Sequence, residues 1–97
     1  MYMEFEWDLN KENTNVEKHG VSFAEAVECF SDPKGFNLDD TSHSSKESRF
    51  YWLGKSKSGR VLTTRFTMRG NKIRIFGSAE WRKFRNFYNE TTKTKQS

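Results

Sequence analysis

Four cationic side chains alternate with apolar residues in the stretch TTRFTMRGNKIRIFGSA, residues 63–79. Alternation along a strand brings every second side chain to one face, and a guanidinium can donate paired hydrogen bonds to a phosphate. An ordinary solvated face mixes charge signs, since like charges side by side repel, but residues 48–77 contain no Asp or Glu. This stretch therefore predicts a surface that binds a polyanion. Its cations are Arg65, Arg69, Lys72 and Arg74.

A second candidate for chemistry is the tripeptide Lys18-His19-Gly20. Histidine titrates near neutral pH, so His19 is a candidate acid or base, and Lys18 is a candidate electrostatic stabiliser. The alternative is structural, because cations suit the C-terminal end of a helix and glycine readily takes the left-handed conformation that ends one. The residues alone leave both interpretations open.

Several other kinds of catalytic site are not indicated. His19, Cys29 and His43 do not have the spacing of zinc ligands. The acidic residues of NLDD are more simply the end of a strand than a metal site. No glycine loop of the phosphate-binding type and no nucleophile elbow is present. We therefore expect neither a metal nor another cofactor.

Length and charge set further limits. The 97 residues predict one domain over residues 1–90 and a polar tail over 91–97. Residues 1–40 hold three Lys or Arg and ten Asp or Glu, a charge of −7, whereas residues 41–97 hold fourteen and three, a charge of +11. This split favours a basic surface that meets a polyanion and an acidic surface that faces elsewhere.

Compartment can also be predicted from the sequence. The single cysteine, Cys29, excludes an internal disulfide and fits a reducing compartment. The start MYMEFEWDLN is acidic and lacks the apolar core of a signal peptide. No apolar run approaches the ~18 residues of a membrane span. The expectation is a cytoplasmic protein that does not enter a membrane.

Three helices are predicted from start and stop signals. Asp8 is a suitable N-cap for a helix over residues 9–19, which Gly20 can end. Ser22 and Glu25 form a capping box for a second helix, and "SDP" stops it. A third helix is expected from near Ser78 to about residue 89. Its buried stripe would be Trp81, Phe84 and Tyr88.

Strand patterns complete the predicted fold. MEFEW alternates, GFNLDD reads as a short edge strand, TSHSSKE is a polar loop, and SRFYWLGK, RVLTTRFTM and KIRIFG read as three further strands. The predicted class is α+β. It would have an antiparallel sheet of about four to five strands, two N-terminal helices and one C-terminal helix.

The turns set the register of the sheet. A two-residue loop at Gly70-Asn71 and a three-residue loop ending at Gly59 place Tyr51 opposite Arg65, and Arg65 opposite Phe76. A slip by one residue would bury arginines, so this register is favoured. The apolar face then holds Phe50, Trp52, Leu62, Phe66, Met68, Ile73 and Ile75. The opposite face holds Arg49, Tyr51, Arg65, Thr67, Arg69, Lys72, Arg74 and Phe76.

The cationic face favours RNA as the polyanion. Tyr51 and Phe76 offer rings on which bases can stack. No helix with a basic face suited to the major groove of duplex DNA is evident.

The order of these residues resembles the BrnT family of bacterial type II toxins. The stretches that carry the resemblance are MEFEWDLNKENTNVEKHGVSFAEAVECFSDP, DDTSHSSKESRF, LGKSKSGRVLTTRFTMRGNKIRIFGSAEW and RKFRNFY. They cover nearly the whole chain. The resemblance implies a RelE-like α+β fold and metal-independent ribonuclease activity. It also implies inhibition by a BrnA-type antitoxin that carries a DNA-binding domain, so that DNA is contacted only through the antitoxin complex.

The leading hypothesis is therefore an RNA endonuclease in which a 2′-hydroxyl attacks the adjacent phosphorus. Arg49, Arg65 and Arg74 are assigned to phosphate binding and charge stabilisation, and His19 or Tyr51 to acid or base catalysis. A tyrosine with its usual pKa of roughly 10 would need neighbouring cations for that role. The candidate catalytic residues are Lys18, His19, Arg49, Tyr51, Arg65 and Arg74. The candidate RNA-binding residues are Arg69, Lys72, Phe76 and Arg82.

One position departs from the family pattern. Many members follow the last strand with Ser-Ala-Arg, whereas this chain reads GSAEW, with Glu80 where a cation is expected. Arg82, two residues later, is the alternative cation. The alternative function is a non-catalytic module of the same fold that binds RNA or the antitoxin.

Overall fold

The structure is a computed structural model that describes residues 3–40 and 47–94. These residues form three helices and one five-stranded sheet, in an α+β arrangement. No helix in the described ranges is long and apolar enough to cross a membrane. The elements are β1 (Glu4–Trp7), α1 (Leu9–His19), α2 (Phe23–Cys29), β2 (Phe36–Asp39), β3 (Phe50–Lys55), β4 (Val61–Arg69), β5 (Lys72–Ala79) and α3 (Arg82–Thr94).

The sheet is mixed, so the prediction of a purely antiparallel sheet was wrong. The strand order is β1-β5-β4-β3-β2, in which β1 runs parallel to β5 and the other neighbours are antiparallel. The parallel register places Glu6 beside Arg74 and Trp7 beside Ile75, so that a charged pair lies on one face of the two strands and an apolar pair on the other. Glu6 and Arg74 are 68 residues apart in the chain, and local patterns carry no information on such a pairing.

The register of the three central strands agrees with the prediction over most of its length. Gly70 and Gly59 have φ values of 62° and 93°, as their turns require, and Tyr51 lies opposite Arg65. The predicted partner of Arg65 was wrong. A β-bulge between Arg65 and Phe66 pairs Arg65 with Gly77, so that Phe76 is the extra residue of the bulged strand.

The third helix begins later and ends later than predicted. β5 continues through Ser78 to Ala79, because Ser78 pairs with Thr64 of β4, and the helix begins at Arg82. It then runs to Thr94, so residues 91–94 of the predicted tail are helical. Residues 95–97, and residues 41–46 of the predicted polar loop over 41–47, lie outside the described ranges, and His43 is among them.

The helices cover the two faces of the sheet unequally. α2 packs on the face that holds the predicted apolar residues, where Phe23 and Ala26 meet Phe66, Ile73 and Ile75. α3 covers part of the other face, where Tyr88 packs against Leu53 and Val61. α1 lies over β5 on that second face. The part of the second face between α1 and α3 is an open surface on which two of the predicted cations, Arg49 and Arg65, lie.

A glycine sets the distance between α2 and the sheet. A Cβ atom at Gly54 would collide with the carbonyl oxygen of Cys29 and lie 2.7 Å from Trp52 Nε1. That indole nitrogen donates to the same carbonyl over 2.7 Å. The end of α2 therefore rests directly on β3.

We expect Gly54→Ala to lower the free energy of unfolding by about 3 kcal/mol, since the added methyl meets backbone rather than a mobile side chain. Gly59→Ala is the control. A Cβ there meets nothing within 4 Å, so its cost is limited to the left-handed backbone, about 1 kcal/mol. Urea denaturation measures both, and equal losses would contradict the close contact of α2.

Candidate active site

A cleft of about 430 Å³ opens between α1 and the open part of the sheet. It holds four Lys or Arg side chains and one His but no carboxylate among its lining residues. Such a lining attracts anionic oxygen atoms, whereas Mg²⁺ or Ca²⁺ would require oxygen ligands such as carboxylates. The lining residues are Asn10, Lys11, Thr14, Asn15, Lys18, His19, Arg49, Arg65 and Phe76.

Helix α1 delivers Lys18 and His19 to one end of this cleft. Asp8 caps the helix by accepting from Lys11 N over 3.1 Å, as the sequence predicts. Gly20 ends it with φ 66° and donates its N–H to the carbonyl of Val16 over 2.8 Å. The cap confirms the structural interpretation of Lys18-His19-Gly20. It also leaves both side chains exposed at the cleft, so the two interpretations are compatible.

Asn15 fixes α1 to the sheet, although no role was predicted for it from the sequence. Its Nδ2 donates to the carbonyls of Val21 and Ser78, both over 2.8 Å, and its Oδ1 accepts from Ser78 N over 3.0 Å. It is the buried residue of α1. The available signal was a polar residue of low helix propensity in mid-helix, which is weak because most such side chains point to solvent.

Arg65 differs from the other predicted arginines of the sheet because it has no ion pair within the described residues. It lies across from Gly77, where a Cβ would sit 3.2 Å from the Arg65 Nη2. Its Nε is buried and has no hydrogen-bond partner within the described residues, and it makes no ion pair there. Buried polar groups are normally paired, so an unpaired N–H in a cationic cleft is a donor that fits a bound oxygen.

The bulge puts Phe76 beneath the cations of the cleft. The Arg49 guanidinium carbon lies 4.3 Å from the centroid of the Phe76 ring, and the Lys11 ammonium lies 5.0 Å from it. Cations over a ring are attracted by its quadrupole. Phe76 therefore supports Arg49 and Lys11, although it was expected to stack on bases.

The other predicted site residues lie outside the cleft. Tyr51 is beside Arg65 but packs on Phe84 and Trp81, with ring centroids 5.2 and 6.4 Å apart. Arg82 is an exposed residue at the start of α3. Three cations are ion-paired: Arg74 with Glu6 at 3.1 Å, Lys72 with Glu4 at 3.8 Å, and Arg69 with Glu47 at 3.7 Å.

These ion pairs correct the prediction of a face with one sign of charge. The absence of acidic residues from residues 48–77 is real, but β1 joins the sheet beside β5 and brings Glu4 and Glu6 to the cationic face. The structure thus gathers five of the predicted site residues at the cleft and leaves five away from it. Those gathered are Lys18, His19, Arg49, Arg65 and Phe76.

The opposite face offers a different kind of surface. A groove of about 520 Å³ is lined by Met3, Phe5, Phe30, Ser31, Asn37, Trp52, Phe66, Met68 and Ile73. No cation is among them, so this groove gives a polyanion no electrostatic attraction. Across residues 3–40 and 47–94, no group of three His, Cys, Asp or Glu side chains is placed to hold a metal ion.

Glu25 departs from its predicted local role. Ser22 caps α2 by accepting from Glu25 N over 3.1 Å, but the Glu25 carboxylate turns to Arg60 and accepts from Ser56 and Ser58 over 2.8 and 2.9 Å. Glu12 of α1 also caps α2, since it accepts from Phe23 N over 2.8 Å. The hydrogen bond from Arg60 is the main reason why the pKa of Glu25 falls to about 2.

A small α+β protein with a cationic cleft of this kind fits the class of RNA-binding proteins. Comparison with known proteins identifies its family. Residues 7–83 match the family described as "Ribonuclease toxin, BrnT, of type II toxin-antitoxin system". The chain therefore belongs to the BrnT ribonuclease toxin family. The match confirms the resemblance noted from the sequence.

A solved structure agrees in fold. The 1.1 Å crystal structure of the Brucella abortus ribonuclease toxin, BrnT, superposes with a TM-score of 0.63 at 20% sequence identity. The alignment covers 82% of this chain and 97% of that one. Comparison with curated protein sequences gave no match.

Asn15→Ala should lower the free energy of unfolding by about 3 kcal/mol, because it leaves the Ser78 N–H and two carbonyls buried without partners. Asn13→Ala is the matched control on the exposed side of α1. Apart from its change in helix propensity, it should alter the free energy of unfolding by less than about 0.5 kcal/mol. Chemical denaturation measures both. Similar losses for the two variants would contradict the anchoring role of Asn15.

Stability should depend on Glu25 at acid pH. Its carboxylate is favoured in the folded state, so the stabilisation is complete above the usual pKa of 4.5 and is lost as the pH falls to about 2. Glu25→Gln should be less stable than the wild type by roughly 2 kcal/mol at pH 7, with the difference shrinking through that window. Urea titrations at several pH values measure it, and a constant difference would contradict the assignment.

Proposed function

We propose that this chain is an endoribonuclease that cleaves RNA without a metal ion. The 2′-hydroxyl attacks the adjacent phosphorus, forming a cyclic phosphate and releasing the 5′-hydroxyl of the next nucleotide. The observation that carries the proposal is the cleft itself. It combines four cations, one histidine and no carboxylate with the unpaired buried Nε of Arg65.

Arg65 is proposed to bind the scissile phosphate and to stabilise the charge that develops on it. Its close packing against Gly77 supports this role, because a donor that is already near its working position stabilises the transition state with less reorganisation. Removing one such donor typically costs about 10²–10³ in rate. Lys18 and Arg49 line the same cleft and would add positive charge around the phosphate. The Arg49 Nη2 also lies 3.8 Å from Glu47 Oε1, which is a longer ion pair than the one of Arg74 with Glu6.

His19 is proposed as the acid or base. It is the only histidine among the lining residues of the cleft, and a positioned acid or base typically contributes about 10²–10⁴ in rate. Tyr51, the other candidate, lies next to Arg65 but outside the cleft lining and is held by Trp81 and Phe84. We assign Tyr51 to the support of Arg65 rather than to proton transfer.

The remaining cations are proposed to guide the RNA rather than to touch the reacting phosphate. Arg74 was a catalytic candidate, but its ion pair with Glu6 at 3.1 Å lowers its attraction for a second anion. Arg69 and Lys72 at the hairpin, and Arg82 at the start of α3, would contact RNA phosphates farther from the cleavage site.

Family membership implies an antitoxin protein as a partner, and we propose one of the BrnA type. DNA would be contacted only through the DNA-binding domain of that antitoxin. The RelE-like character of the fold and action in the cytoplasm belong to the same proposal.

A non-catalytic RNA-binding or antitoxin-binding module is the second candidate. It is favoured by one observation: His19 is the only conventional base of the cleft and is exposed at a helix end. An RNA-binding module would show steep salt dependence of RNA binding without cleavage.

Purified protein should cleave single-stranded RNA in EDTA, and Arg65→Ala should reduce the rate by at least about 10² because it removes the oriented donor. Arg85→Ala, an arginine of α3 outside the cleft, is the matched control and should retain the wild-type rate. Gel analysis and detection of the cyclic phosphate end follow the reaction.

Circular dichroism verifies that each variant is folded. Equal cleavage by Arg65→Ala and the wild type would indicate a contaminating nuclease and refute the assignment. Arg74→Ala should lose less activity than Arg65→Ala, because Arg74 is already paired.

A further inference from the structure

One arginine outside the cleft links the two chain segments that carry His19 and Trp81. Arg60 Nη2 donates to the carbonyl oxygen of Gly20 over 3.1 Å, and its Nη1 lies 3.7 Å from Glu80 Oε1. Gly20 follows His19 directly, and Glu80 directly precedes Trp81. The His19 and Trp81 rings meet edge to face with centroids 6.3 Å apart.

Arg60 is itself held in a fixed orientation. Its Nε donates to Glu25 Oε2 over 3.0 Å, and the same carboxylate oxygen accepts from the hydroxyls of Ser56 and Ser58. A guanidinium has five donors in a planar fork, so it can bond in several directions at once. Its fork here joins α2, the end of α1 and the connection between β5 and α3.

His19 needs such support because of where it lies. It is the last residue of α1, and helix ends fray. Its ring makes no hydrogen bond to any residue within 3–40 or 47–94, and its ring contact there is with Trp81. The orientation of the imidazole thus depends on the position of the Gly20 backbone and on the position of Trp81.

We infer that Arg60 and Glu80 are positioning residues for His19, holding the end of α1 and Trp81 together so that the imidazole faces the cleft. The effect of this positioning on catalysis rests on the proposed ribonuclease function, whereas the placement of the His19 ring does not. The inference also accounts for a carboxylate at position 80, where the family resemblance predicts a cation. Glu80 pairs with Arg60 and does not contact the RNA.

Nuclear magnetic resonance of the His19 ring tests the placement without any reference to activity. The chain has two histidines, so His19→Gln assigns the signals. In the wild type the ring protons of His19 should be shifted by the Trp81 ring, and Trp81→Leu should remove that shift. Glu80→Gln and Glu80→Lys should move these signals at least halfway toward those of an exposed histidine. Asp39→Asn, an exposed carboxylate on the opposite face, should leave them unchanged.

Cleavage kinetics test the consequence. Glu80→Gln should lower kcat about 10-fold with little change in KM, since misorientation of a catalytic group affects the chemical step. Arg60→Lys keeps the charge but cannot make the same bonds, and it should act in the same direction. Glu80→Lys is the most informative variant, because it replaces the carboxylate that pairs with Arg60 by a cation and so should also lower kcat.

The outcomes separate the possibilities. Unmoved His19 signals in both Glu80 variants would overturn the inference, as would a rise in kcat for Glu80→Lys, which would mean that Glu80 merely repels RNA. If Arg60→Lys does not fold, the Glu80 variants decide, since their ion pair is surface-exposed. A folded wild type that shows the ring shift but cleaves no RNA would refute the proposed function and leave the placement of His19 established.

Discussion

The amide of Asn15 is the contact on which the cleft depends. α1 has two apolar side chains, Leu9 and Val16, and they are 70% and 44% exposed. The helix is therefore not held to the sheet mainly by burial of apolar area. It is held by two hydrogen bonds between the Asn15 side chain and the backbone of Ser78 in β5, and a third bond joins Asn15 to the Val21 carbonyl just after the helix. In a buried place these bonds are costly to lose, because each unpaired partner keeps its desolvation penalty.

That arrangement brings α1 and Arg65 to the same spot on the sheet. Gly77 lies between them, with the position of an absent Cβ 3.5 Å from Asn15 Oδ1 and 3.2 Å from Arg65 Nη2. A larger residue there would force one of the two to move. The bulge at Arg65 changes the register by one residue, which puts Gly77 and not Phe76 opposite the arginine. A change of one residue in one strand thus decides what the arginine lies against.

Charge is distributed by face as well as by segment. On the α2 side the groove lining is mostly apolar and carries no cation, whereas the cleft on the α1 side carries four. Among the cations of the second face, Lys72 and Arg74 are paired with the glutamates of β1, and Arg49 and Arg69 lie near Glu47. Arg65 has no carboxylate partner among the described residues. Position within the sheet therefore separates arginines that look alike in sequence.

Local signals predicted most of the elements. The cap at Asp8, the glycine at the end of α1, the Gly70-Asn71 turn and the alternation of β3 to β5 all act within a few residues, and the structure agrees with each. The third helix was placed wrongly because the strand before it is extended by its pairing with Thr64. Glu25 was assigned to a local cap, but the stronger attraction of a charged partner 35 residues away prevailed.

By itself, the sequence determined the fold class, the apolar face, the family and the presence of cations and a histidine suited to phosphate chemistry. Only the tertiary structure decided which cations lie together. Lys18 and Arg65 line the same cleft because Asn15 of α1 binds Ser78 of β5, which is 63 residues away in the chain. It also decided that β1 is parallel to β5 and that Arg74 is paired. The physical reason is the range of the interactions. Caps, turns and alternation are set by neighbours in the chain, whereas the state of each charge depends on which distant strand or helix packs beside it.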